Sequence, residues 1–242
     1  MKQIIMITGA SRGIGKAIAL RFANKNTRLA LFCHTNEEAL KDTCRCCEEK
    51  GSECLCFTGD IGDYDWVRTC ISSILEKWGT VHVLINNAGI SYLGLLTDMT
   101  PAQWNEMLTT NLTSLYHTCH EIVPAMVRQQ SGCIINISSV WGNIGASCEV
   151  AYSAAKGGVN SFTRALAKEL APSNIRVNAI SLGAMDTSMN AWLSEEERTA
   201  LTEEIPCGRF GTSEEAADLV YSISTASSYL TGQIITLDGG WS

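Results

Sequence analysis

Ile4-Ile-Met-Ile7-Thr8-Gly9-Ala-Ser11-Arg12-Gly13-Ile14-Gly15-Lys16 is the stretch whose reading decides the fold. Four apolar residues read as a short buried strand, the glycines as a turn, and the residues from Lys16 to Phe22 as an amphipathic helix. Glycine lets the backbone come close to a pyrophosphate, and the free amides and dipole at a helix start attract its charge. A dinucleotide is therefore the natural ligand. The spacing is G-x3-G-x-G rather than the commoner G-x-G-x-x-G, so the loop alone is a weak signal and the rest of the chain has to support it.

Downstream, strand and helix patterns alternate. A second strand, Arg28 to Cys33, ends where an NAD site usually offers a carboxylate to the ribose 2′-hydroxyl; here stand Cys33, His34, Thr35 and Asn36. None is acidic, and the Arg12 guanidinium inside the glycine loop can reach a 2′-phosphate, which favours NADP(H) over NAD(H). A polar helix from Asn36 to Lys50, a strand from Glu53 to Phe57, and Asp60-Ile61 follow. Asp60 reads either as an acceptor for an adenine amino group or as a helix cap. After a helix from Tyr64 to Trp78 comes Val81-His-Val-Leu-Ile-Asn86-Asn87-Ala88-Gly89, a buried strand ending in two amides that can tie loops together and a glycine that admits a cofactor. Thr100-Pro101 opens a long helix through Asn111 towards Met126, with the proline where its missing donor costs little. Asn111 either faces solvent or breaks the local hydrogen-bond pattern and holds a water. Regular alternation without repeat or low-complexity linker, over 242 residues, predicts one α/β domain: a Rossmann-type, doubly wound parallel sheet with helices on both faces.

The chemistry lies in Ser139-Val-Trp141-Gly-Asn-Ile-Gly-Ala-Ser-Cys-Glu149-Val-Ala-Tyr152-Ser-Ala-Ala-Lys156. Small and apolar residues recur at helical spacing from Ala151 to Leu170, so Tyr152 and Lys156 project from one face. A phenol is a poor proton donor and acceptor at neutral pH, and a neighbouring ammonium is expected to favour its phenolate, making Tyr152 a general acid and base. Ser139 ends the apolar run from Cys133 to Ser138, which places its hydroxyl at the carboxyl edge of the sheet, where ligands of open α/β sheets bind.

Composition sets bounds. A net charge of −7 with no Lys/Arg cluster argues against nucleic acid and anionic membrane surfaces. No apolar run approaches the ~20 residues that span a bilayer, and the first strand leaves no room for a signal peptide. The eleven cysteines, an odd count in a chain of enzyme length, read as reduced thiols of a cytoplasmic protein. Cys44, Cys46, Cys47, Cys54 and Cys56 have neither a histidine among them nor C-x2-C pairs, so no metal is expected.

Taken together, Thr8-Gly9 to Gly15, Asn86-Asn-Ala-Gly89, Asn111, Ser139, Tyr152 and Lys156 resemble the short-chain dehydrogenase/reductase family over nearly the whole chain. The resemblance implies that Gly9, Gly13, Ile14 and Gly15, with Ser11, line the pyrophosphate, that Asp60 and Ile61 meet adenine, and that Thr187 contacts the nicotinamide amide. Asn87, Ala88, Gly89 and Gly183 complete the cofactor set, and Lys156 hydrogen-bonds the nicotinamide ribose. By the same resemblance Ser139 polarises a carbonyl oxygen, Tyr152 donates the proton, and Asn111 holds the water through which Lys156 relays it. Ser181-Leu182-Gly183 departs from the family's Pro-Gly, which puts the rigidity of that loop in question. The segment 185–204, with Met185, Met189, Trp192 and Leu193 among many acids, resembles the family's substrate lid, and the Tyr229 to Ser242 tail implies a homotetramer.

Two substrate classes are implied. The opening and the Tyr229-Leu-Thr-Gly ending look like 3-oxoacyl-acyl-carrier-protein reductases, which act on an acyl thioester. Those enzymes dock their carrier through two arginines; the matching positions here are Gln130 and Ser173, with Arg128 and Arg176 nearby as substitutes. The segment to Tyr152, through Trp141 and Glu149, resembles the elongation factor P 5-aminopentanone reductases, which act on a protein-attached ketone. There Glu149 either pairs with a substrate ammonium or serves only as an acid at a helix start, and Trp141 forms a pocket wall. A hydroxysteroid or small-alcohol dehydrogenase, and a non-catalytic dinucleotide sensor, are the remaining readings.

Overall fold

The computed structural model describes residues 2–191 and 193–242; Trp192, one of the lid residues expected from the sequence, lies outside them. A seven-stranded parallel sheet forms the centre: β1 (Gln3–Ile7), β2 (Thr27–Cys33), β3 (Glu53–Thr58), β4 (Val83–Asn86), β5 (Gly132–Ser139), β6 (Ile175–Leu182) and β7 (Ile234–Leu237), in spatial order β3-β2-β1-β4-β5-β6-β7. The chain leaves β1 in one direction and resumes from β4 in the other, so their carboxyl ends frame a topological switch point, the place where open α/β sheets bind ligands.

The helices are α1 (Gly13–Phe22), α2 (Glu37–Glu49), α3 (Tyr64–Trp78), α4 (Pro101–Leu108), α5 (Ser114–Gln129), the single turn α6 (Trp141–Ile144), α7 (Val150–Leu170), α8 (Glu195–Glu204) and α9 (Ser213–Ser224). One sheet face buries Ile5, Ile7, Leu29 and Leu31 against Ile18 of α1, Leu40 of α2 and Val220 of α9. The other buries Ile4, Met6, Leu84 and Ile134 against Ile71 of α3, Ile122 of α5 and Leu170 of α7. Strands covered on both faces need to be apolar on both, which is why β1 and β4 read as near-continuous apolar runs rather than alternating ones.

Several local expectations are refined. Asn36 caps α2 by accepting from the Ala39 amide at 3.0 Å, and Asp63, not Asp60, caps α3. Asp60 instead accepts from the Gly62 amide at 2.7 Å and stays on the cleft. Thr100 and Gln103 form a reciprocal capping box ahead of Pro101. The loop at Ser181 is firm without a proline. Ser181 Oγ accepts from Asn143 Nδ2 at 2.9 Å, and the Gly183 amide donates to the Leu237 carbonyl at 2.9 Å.

The cysteines require a correction. Cys44 and Cys56 are joined in a disulfide, against the expectation that every thiol is reduced; nine others are free. Leu40, Thr43, Cys44 and Cys47 form the buried stripe of α2, and this helix folds back along β3, bringing the two sulfurs together. Among the described residues no group of three or more His, Cys, Asp or Glu is arranged to hold a metal ion, and no helix is long and apolar enough to cross a membrane.

Candidate active site

A cleft of about 850 Å³ runs across the carboxyl ends of the strands. At one end lie Gly9, Ser11, Arg12, Gly13, Ile14 and Gly15 with His34, Thr35, Asp60 and Ile61; at the other lie Ser139, Tyr152, Lys156, Gly183, Met185, Thr187 and Met189, with Asn87, Ala88 and Gly89 between. Every residue expected to touch a cofactor therefore lines one continuous cavity. The glycine loop is packed to the limit of glycine: a Cβ at Gly15 would stand 2.1 Å from the Gly9 carbonyl oxygen, and Gly9 holds φ at +69°. A Cβ at Gly13 would meet nothing closer than Thr187 at 3.8 Å, so there is open space beside this residue on the cleft. Such a backbone cradle at the start of α1 fits a dinucleotide pyrophosphate.

The loop is fastened to its neighbour as the two amides after β4 lead one to expect, with Thr8 as the partner. Thr8 Oγ1 accepts from the Asn87 and Ala88 amides, each at 2.9 Å, and Asn87 Nδ2 donates back to the Thr8 and Gly9 carbonyls at 2.9 and 3.2 Å. Below them, Asn86 Nδ2 donates to Asn136 Oδ1 at 2.9 Å, and Asn136 Nδ2 donates to Thr163 Oγ1 at 2.9 Å. A fully satisfied buried amide network of this kind locks β4, β5 and α7 in register.

At the reacting end, Ser139 is the last residue of β5, and Tyr152 and Lys156 lie one turn apart in the first two turns of α7. Lys156 is 4% exposed; its Nζ donates to the Ile137 carbonyl at 2.8 Å and sits 5.5 Å from the centre of the Tyr152 ring. Burial lowers its pKa to about 8. For Tyr152 the expected direction is reversed. Burial, and next the charge of Glu149, push the phenol well above its ordinary range, and the Ser139 hydroxyl offsets only part of this. Burial of Lys156 and half-burial of Tyr152 disfavour their charged forms.

Asn111, expected as a relay residue, is wholly buried and stands behind Gly89, not on the cleft wall. A Cβ on Gly89 would fall 2.7 Å from Asn111 Oδ1 and 3.7 Å from Lys156 Nζ. Its disruption of the helix is visible: Thr109–Thr113 form a π-helical turn between α4 and α5. The amide binds the chain after β4, with Oδ1 accepting from the Ile90 amide at 3.1 Å and Nδ2 donating to the Ile90 carbonyl at 2.9 Å.

Trp141 and Glu149 are also set back from the cleft surface. The Trp141 ring packs edge-on against Trp241 of the carboxyl tail, centroids 4.9 Å apart. Glu149 Oε2 accepts from the Ser91 hydroxyl, itself on the cleft, at 3.1 Å. Burial raises the Glu149 pKa, opposed by Ser91 and the Trp141 indole. Ser91, Tyr92, Leu93 and Glu106 complete the wall and carry no sequence signal, because they lie on a loop and a helix whose path is set by tertiary contacts.

Met185, Thr187, Ser188, Met189 and Asn190 line the cleft. Met185 is buried and pairs with Gly211, Met189 is 42% exposed, and α8 buries none of its residues.

The chain belongs to the short chain dehydrogenase family, whose profile matches residues 3–198. It is thus an oxidoreductase of the class that acts on keto and hydroxyl groups. It is 39% identical, over all of its own length and 99% of the relative's, to the uncharacterized oxidoreductase YmfI of Bacillus subtilis (strain 168). It is 38% identical, over 97% and 95% of the two chains, to the 3-oxoacyl-[acyl-carrier-protein] reductase FabG of Chlamydia muridarum (strain MoPn / Nigg). Among solved structures it is similar to a tryptophan-substituted actinorhodin polyketide ketoreductase with NADPH, at TM-score 0.93 and 31% identity over 99% and 97% of the chains.

Proposed function

We propose that the protein is an NADP(H)-dependent ketoreductase that reduces a ketone to a secondary alcohol, with a 3-oxoacyl thioester as its first substrate class. The observation that carries the reading is the convergence of Ser139, Tyr152 and Lys156 at one end of a cleft whose other end is a glycine cradle. The cofactor supplies a hydride when bound. The chain's own residues do the rest: Ser139 holds the carbonyl oxygen, Tyr152 gives it a proton, and Lys156 holds a ribose hydroxyl and replenishes that proton. Preference for the 2′-phosphate rests on Arg12, which is exposed and makes no ion pair among the described residues, and on His34 and Thr35 in place of a carboxylate. Met185 to Glu204 act as a lid that excludes water over the reacting atoms, with Met185 and Met189 against the substrate. Exposed Tyr116 and Tyr229 support assembly into a homotetramer, which sedimentation tests directly, and the relatives named as acyl-carrier-protein reductases support a cytoplasmic setting.

One observation favours a second substrate. Of the two arginines available to dock an acidic carrier, Arg176 is spent inside the fold, donating to the Ile223 and Ser224 carbonyls at 2.8 and 2.6 Å. Meanwhile the half-buried Glu149 carboxylate lies beside Tyr152 without a partner cation among the described residues. A ketone bearing an ammonium, such as an aminopentanone attached to a protein lysine, answers that charge; an acyl chain does not. NADPH consumption by the purified protein, measured with an acetoacetyl thioester and with a small amino-ketone, decides between them. Thioester turnover that vanishes in Tyr152→Phe supports the first reading. Selective turnover of the amino-ketone, weakened in Glu149→Gln, replaces it with the second, and activity on neither ketone, with cofactor bound, overturns both.

A further inference from the structure

The sheet order assigns the two halves of a bound dinucleotide to opposite sides of the glycine loop. Ser139, Tyr152 and Lys156 stand beyond β4, so the adenosine half falls on the other side of β1, over the ends of β2 and β3. The segment leaving β3 is Gly59-Asp60-Ile61-Gly62, and its first three residues line the cleft. Backbone bonds anchor it at both ends: the Gly59 amide donates to the Cys33 carbonyl and the Asp63 amide to the Asp60 carbonyl, each at 3.0 Å. In between, the Ile61 carbonyl meets His117 Nδ1, on α5, at 3.2 Å. A carbonyl only accepts, so Nδ1 carries the hydrogen. His117 is buried, and its ring packs edge-on against those of Tyr64 and Tyr116, with centroids 5.4 and 5.8 Å away.

Asn111 in the π-helical turn and His117 on α5 each hold the backbone of a residue that lines the cleft. Asn111 grips Ile90 after β4, and His117 grips Ile61 after β3. A Cβ on Gly62 would stand 2.6 Å from Thr109 Cγ2, so the segment after β3 also rests on the π-helical turn itself. One stretch of chain thus braces two walls of the cleft. We infer that His117 is a positioning residue for the adenosine half of the cofactor: its Nδ1–H holds the Asp60–Ile61 wall where that half binds. His117 is not among the described residues that line the cleft, so it acts through Ile61 and not by contact with the ligand. This rests on the dinucleotide reading of the cleft and on no choice of ketone. Without the bond the segment keeps its anchors at Gly59 and Asp63 while Ile61 is released between them. Binding then weakens, and the reacting end, on β5 and α7, keeps its geometry.

The experiment is a fluorescence titration with NADPH, and displacement of NADPH by adenosine 2′,5′-bisphosphate, in wild type, His117→Asn, His117→Gln and His117→Leu. Asparagine carries an N–H donor as many bonds from Cα as Nδ1, glutamine carries it one bond further out, and leucine has none. The Kd values for NADPH and for the bisphosphate should rise together, by about five- to tenfold, in His117→Leu and His117→Gln. In His117→Asn both should stay within about twofold of wild type, and kcat at saturating NADPH should hold in all three variants. All three lose the ring packing against Tyr64 and Tyr116, so a merely structural role weakens binding and lowers the melting temperature in all of them alike. That pattern overturns the proposal, as does a His117→Leu protein that binds both ligands like wild type. A wild type that binds both ligands and reduces no ketone removes the ketoreductase reading alone, and the titrations still judge His117. A wild type that binds neither overturns both.

Discussion

The two ends of the cleft are built differently. At the reacting end, Ser139, Lys156 and Asn111 are buried, sit on a strand end and two helices, and are held by bonds such as Lys156 to Ile137 and Asn111 to Ile90. At the adenosine end, Arg12, His34 and Thr35 are exposed, and their side chains make no hydrogen bond among the described residues. One end holds its geometry before any ligand arrives, at the cost of burying ionisable groups; the other keeps its groups hydrated and spends nothing until a phosphate comes. Substitutions at the first end should therefore disturb chemistry or stability, and those of the exposed Arg12, His34 and Thr35 should disturb affinity alone.

The strongest contrast comes from Tyr152→Phe, which should reduce kcat by about 10³-fold while leaving NADPH affinity within about twofold, checked by single-turnover kinetics and by cofactor fluorescence titration. A matching loss of cofactor affinity would break the division between the ends. Gly15→Ala should come next: with a Cβ 2.1 Å from the Gly9 oxygen the loop has to open, so NADPH affinity should fall more than about tenfold and stability by about 1–3 kcal/mol in urea unfolding.

Lys156→Met should abolish useful turnover and yet make the protein more stable. Holding this amine at a pKa of about 8 instead of 10.5 costs on the order of 3 kcal/mol at neutral pH, and the Ile137 carbonyl left without its donor returns about 1, for a net gain of about 2 kcal/mol. The unfolded chain keeps the Lys156 proton to higher pH than the folded one, so unfolding takes up a proton between about pH 8 and 10.5. Wild-type stability should accordingly rise with pH across that window, and the rise should be missing from the variant. A variant less stable than wild type would show that the amine is not strained by its burial.

The smallest effect is expected from Arg12→Ala. Losing one exposed charge-assisted contact should raise KM for NADPH by about tenfold, about 1.4 kcal/mol, and leave KM for NADH and the melting temperature unchanged. Equal effects on the two cofactors would remove Arg12 from phosphate discrimination.

Much of this was legible beforehand. The strand, turn and helix from Ile4 to Phe22 and the pair Tyr152 and Lys156 are local patterns, and both were placed as expected. The reading failed where distant segments decide the outcome. Whether Lys156 lowers the proton affinity of Tyr152 depends on burial and on Glu149, and the sequence expectation had the sign reversed. Arg176 looked free for a carrier protein and is instead consumed by the end of α9. Asp60 gave its capping role to Asp63, three residues on, and Cys44 met Cys56 because α2 doubles back on β3.

The sequence by itself determined the fold class and the family, because each depends on residue types at short, fixed spacings along one strand or helix. Tertiary structure alone decided that Asn111 braces the chain behind Gly89, that Thr8 is the partner by which Asn87 holds the glycine loop, and that Tyr152 is half-buried at the cleft. Those outcomes depend on distances between segments far apart in the chain, and on the removal of solvent that only their packing brings about.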